Sequence, residues 1–69
     1  MRTIEEVKDM FAYAHLRDDL RDVSEHFHNL AVAMFEKLEP CPETTLCLRK
    51  LWEAKNYAVW VAAKYAAPF

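Results

Sequence analysis

The chain has 69 residues, no glycine, two cysteines, 54% hydrophobic residues and a formal net charge of −2. That length allows one small domain with a marginal core, and the missing glycine excludes a P-loop, a dinucleotide-binding fingerprint and a nucleophile elbow. The charge argues against a binder of long nucleic acid, although it is uneven: residues 1–40 hold five Lys/Arg against nine Asp/Glu, and residues 41–69 hold four against two.

High alanine, leucine and charge without glycine predicts an all-α fold. Thr3 and Glu6 have the spacing of a capping box. Ile4, Val7 and Phe11 then recur at helical steps, so a short helix is expected over about residues 4–12. The start, MRTIEEVKDM, is charged and unlike a signal peptide. Tyr13 to Leu16 lose the period and read as a connector, with Asp18 or Asp19 opening the next helix.

Leu20, Val23, Phe27, Leu30, Met34 and Leu38 make one apolar stripe, predicting an amphipathic helix over about 18–38. Asp22, Glu25, His26, Asn29 and Lys37 fall on its other face. Pro40 and Pro42 break the chain. The last helix is expected over about 43–66, before Pro68. Leu51, Ala54, Ala58, Val61 and Tyr65 give it one stripe, Leu48, Trp52, Val59 and Ala62 or Ala63 a second, and Tyr57, Trp60 and Lys64 a third. A short break between two long helices predicts an antiparallel hairpin.

One neighbouring helix cannot cover all those faces. Phe27, Phe35, Trp52, Tyr57 and Trp60 are therefore expected at an interface between copies of the chain. The alternative is a monomer whose N-terminal helix folds over the aromatics.

Little catalytic chemistry is legible. Cys41 and Cys47 are six apart, without the spacing of a zinc site, and are expected as reduced thiols. His26 and His28 point to different sides of a helix and cannot chelate one ion. Ser24, Thr3, Thr44 and Thr45 sit in no nucleophile motif, so no enzyme, metal or cofactor is expected. No run approaches the ~20 apolar residues of a membrane span. The connector set Tyr13, His15 and Arg17 offers a stacking ring, a hydrogen-bonding ring and a cation, which together could hold a base and a phosphate. Arg49 and Lys50 adjoin on the basic helix, with Arg49–Glu53 a possible i,i+4 pair. In an assembly these cations could converge on one pocket.

The ordered set from Pro40 to Ala54 (PCPETTLCLRKLWEA), then Tyr57-Ala58 and Ala62-Ala63-Lys64, resembles a family of very small phage proteins. Their pattern is a Pro-rich turn, Ser-Arg-Glu, a Leu-Ala-Leu run, Lys-Leu-Glu-Glu-Ala and Trp-Ala-Asn-Ala. Upstream, Phe11-Ala-Tyr13-Ala-His15 is similar to their Phe-x-Tyr-His-Pro, and Leu30-Ala31 to a Leu-Ala in their first long helix. The resemblance spans about residues 4–64 and points to the helical-hairpin anti-CBASS and anti-Thoeris nucleotide sponges. It implies a homo-oligomer, typically a hexamer. Such an assembly binds cyclic di- or trinucleotide signals, or cyclic ADP-ribose-type signals, between protomers in the host cytoplasm without cleaving them. By position, Tyr13 and His15 match the Tyr-His, Glu43 the turn glutamate, and Lys50, Glu53 and Ala54 the Lys-Leu-Glu-Glu-Ala. The implied roles are stacking for Tyr13, a phosphate or base edge for His15, and phosphates for Arg49 and Lys50. Pro42 and Ser24 stand where the family carries arginines, Trp52 replaces a glutamate, Val59 replaces an asparagine, and the connector is shorter. The competing reading is a small phage interaction module that docks on a host protein through Trp52, Tyr57 and Trp60.

Overall fold

Thr3 caps the first helix: its hydroxyl accepts from the Glu6 amide at 3.2 Å. In a computed structural model describing residues 3–65, that helix, α1, spans Ile4–Met10. It ends earlier than predicted. Phe11 leaves regular helix geometry at φ −106°, ψ 22°, while its amide still bonds to the Val7 carbonyl at 3.0 Å. At that point its ring enters the core, fully buried like Val7.

α2 spans Asp18–Lys37, with Asp18 and Asp19 in the first turn and Lys37 in the last, signs that suit the helix dipole. It stops one residue short of the expected end. Leu38 is extended at φ −95°, ψ 147°, and Pro40 keeps its predecessor Glu39 out of helical geometry. α3 spans Pro42–Tyr65, with proline in its first turn. The expected end at Ala66 lies outside the described residues. Those residues include no strand and no positive φ, so the turns are made without the geometry that would call for glycine.

The fold is the expected short helix followed by a hairpin. Its connector is fastened by Thr44, which is buried and donates from Oγ1 to the Glu39 carbonyl at 2.6 Å. Cys41 Sγ sits 3.3 Å from the same hydroxyl. α1 packs on α2, and Val7 and Phe11 join Ala31 of α2 and Leu48 of α3 in one core cluster. Met10, Phe27, Met34, Phe35 and Leu51 are partly buried against it.

Both long helices are turned part-way from the predicted stripes, although Phe27 and Met34 of α2 and Leu48 and Leu51 of α3 still lie in or against the core. In α2 the buried positions are Ser24 and Ala31, while Leu30 and Leu38 of the expected stripe are exposed. Small residues let α1 and α3 approach, and the bulkier Phe27, Met34 and Phe35 close the sides. In α3 the inward face runs through Thr44, Leu48 and Leu51 and on to Lys55, Ala58, Val59 and Ala62, cutting between two predicted stripes. Ala54, Val61, Tyr65 and Cys47 are consequently exposed. α1 does not cover the aromatics: Tyr57 stays 70% and Trp60 62% exposed. The described body measures 45 × 18 × 14 Å.

Candidate functional site

Tyr13 is the best-held side chain of the connector after α1. The turn around it closes through Leu16 N–H to the Tyr13 carbonyl at 3.1 Å. Its ring is half-buried and meets His28 of α2 edge-on, with centroids 5.0 Å apart and planes at 66°. The phenol pKa is raised above its ordinary 10.0, first by partial burial and then by the neighbouring Glu25 carboxylate, which also accepts its hydrogen bond. Tyr13 thus stays a neutral donor, with part of its ring open to solvent. His28 Nδ1 also lies 3.3 Å from Asn29 Oδ1. Sequence reasoning missed the roles of His28 and Glu25, because a ring reached across a connector leaves no periodic signal.

His15 is exposed two residues on. Arg17 precedes the first residue of α2, and its guanidinium is paired with Asp19 at 3.2 Å. Arg21 is paired with Asp18. A depression of about 350 Å³ beside them is lined by Asp18, Arg21, Asp22 and Glu25, an acidic set that disfavours an anion.

The second half of the candidate site is on α3. Leu46, Arg49, Lys50, Trp52 and Glu53 line a shallow depression of about 220 Å³. It combines two cations with an indole, groups suited to a phosphate and a base. Glu53 takes Lys50 at 3.5 Å, an i,i+3 pair, instead of the expected Arg49. Arg49 has no ion-pair partner among the described residues. Glu43 is exposed in the first turn of α3 and lines none of the described cavities.

The depression on α3 includes none of Tyr13, His15 and Arg17 in its lining. No described cavity is lined by members of both halves. A cavity of about 540 Å³ lies at the hairpin end among Ile4, Phe35, Leu38, Glu39, Pro40 and Thr44, and holds none of the predicted ligand residues. Of the predicted interface residues, Phe27 and Phe35 pack partly against the core, Trp52 is 36% exposed at the flank of α3, and Tyr57 and Trp60 face outward. Lys64 Nζ sits 5.5 Å from the Trp60 ring centroid.

No family model, curated protein or solved structure matches the chain.

Among the described residues no group of three or more His, Cys, Asp and Glu is placed to hold a metal ion. Cys41 and Cys47 are free and exposed. No described helix is long and apolar enough to cross a membrane.

Proposed function

We propose that this chain binds a small cyclic nucleotide signal of bacterial anti-phage defence and sequesters it unchanged, acting in the host cytoplasm as a homo-oligomer. The observation that carries the reading is the separation of a ring-bearing half from a cationic half. Tyr13 is propped by His28 and Glu25 on one side of the molecule. Arg49, Lys50 and Trp52 stand together on another helix, around a depression whose lining includes none of Tyr13, His15 and Arg17. A ligand with both bases and phosphates uses both halves once two protomers bring them together. Tyr13 and Lys50 are also positions at which the chain resembles the phage sponges, whereas Trp52 departs from them. His15 is free to bond a phosphate or base edge, while Arg17 must first release Asp19. The expected outcome is binding, not turnover.

Calorimetry of the purified chain against cyclic di- and trinucleotides and cyclic ADP-ribose isomers tests this. At least one should give saturable heat, and recovered ligand should be chemically intact. Tyr13→Ala and Lys50→Glu should each weaken binding tenfold or more, the latter by reversing a phosphate contact. No heat and no thermal shift across the panel would remove the proposal.

A further inference from the structure

The outward face of α3 has an order that the fold does not use. Leu46, Arg49, Lys50, Glu53, Tyr57, Trp60, Val61 and Lys64 all lie on the side away from Thr44, Leu48 and Leu51, and all are exposed. Their positions are symmetric about Lys55. Reversing the helix exchanges Leu46 with Lys64, Arg49 with Val61, Lys50 with Trp60 and Glu53 with Tyr57.

The exchanged partners are chemically complementary. A lysine stem covers leucine, and an arginine stem covers valine. The Lys50 ammonium meets the exposed Trp60 ring. The Glu53 carboxylate accepts from the Tyr57 hydroxyl. A parallel pairing sets Glu53 on Glu53 and Lys50 on Lys50, like charges that oppose association.

We propose that α3 pairs antiparallel with α3 of a second copy through this face, about a two-fold axis at the level of Lys55. A two-fold interface requires that i meets j wherever j meets i, and the eight positions satisfy that condition. The strip is about 27 Å long at 1.5 Å per residue. With Leu46, Tyr57, Trp60 and Val61 each more than half exposed, two copies bury on the order of 1,000 Å², enough for a specific contact. The pairing lays Trp60 of the second copy over the depression formed by Leu46, Arg49, Lys50 and Trp52. Each copy then supplies a wall of the other's cationic half-site. The pairing goes beyond the proposed binding reading, since it joins α3 to α3 and leaves the Tyr13 half for another contact, and its test needs no nucleotide.

The test is disulfide trapping in a Cys41→Ser, Cys47→Ser background. Chains carrying Leu46→Cys are mixed with chains carrying Lys64→Cys and mildly oxidised. The antiparallel pairing yields the mixed disulfide between the two variants. Same-variant disulfides at both positions would establish a parallel pairing and overturn the proposal, as would no cross-linking at all. Separately, Trp60→Glu should at least halve the mass seen by light scattering with the helical circular dichroism retained, and an unchanged mass would also overturn it. Cross-linking without nucleotide binding leaves the pairing and removes the sponge. Nucleotide binding without cross-linking does the reverse.

Discussion

Ser24 is fully buried, and its hydroxyl has no hydrogen-bond partner among the described residues. An orphaned buried hydroxyl costs about 1–3 kcal/mol. Ser24→Ala should therefore keep the fold and raise Tm by several degrees in a calorimetric scan; a lower Tm would mean that the hydroxyl has a partner. Lys55 poses a related problem with charge. It stands on the inward face of α3, and burial lowers its pKa below 10.5. The unfolded chain then holds the Lys55 proton more tightly than the folded one. This contribution makes stability rise with pH from the lowered value up to about 10.5. Tyr13 acts oppositely at the top of that range: the folded chain keeps its phenol proton longer, so stability falls as pH rises past 10.0. Glu25→Gln removes a raising charge, so absorbance titration in a Tyr57→Phe, Tyr65→Phe background should show Tyr13 ionising at lower pH. No movement would take Glu25 out of the contact.

Helix boundaries were the most legible feature, because the signals that set them are local. The Thr3 cap, the acidic first turn of α2 and Pro42 in the first turn of α3 can all be read from neighbours in the chain. The inward faces were less legible. Hydrophobic period marks where large side chains recur, but α2 approaches its neighbours through Ser24 and Ala31, which carry little weight in such a pattern. The Tyr13–His28 contact is tertiary and leaves no local trace. The cations of the candidate site were found by type, but their pairing with Asp19, Asp18 and Glu53 depends on rotamers. Thr44 was legible only as a polar residue near a turn, yet its bond to Glu39 fastens the hairpin. Thr44→Val keeps the volume and leaves that carbonyl unpaired. It should cost about 1–2 kcal/mol, a Tm loss on the order of 5–10 °C for a domain this small. An unchanged Tm would mean that the proline-bounded connector holds itself.

At the scale of the molecule, the four fully buried apolar side chains among the described residues are a small core, and chains of this size usually recruit something further. If a second copy supplies it, stability is linked to concentration by mass action. Between about 1 μM and 100 μM protein, Tm should rise by several degrees. A constant Tm over that range would show that one chain stands alone.

The 14 Å thickness also has a kinetic meaning. Nothing in such a slab lies far from solvent, so a nucleotide-sized ligand on one chain is touched from one side only. It can leave in a single step, without waiting for any part of the protein to open. Under the proposed sponge function, long residence would depend on a second chain closing over the ligand, and the lifetime of the captured signal would be the lifetime of the contact between copies. The rate at which protomers separate would limit how fast the signal returns to solution, so dilution of the assembly should release it faster than any change in the affinity of one face would suggest.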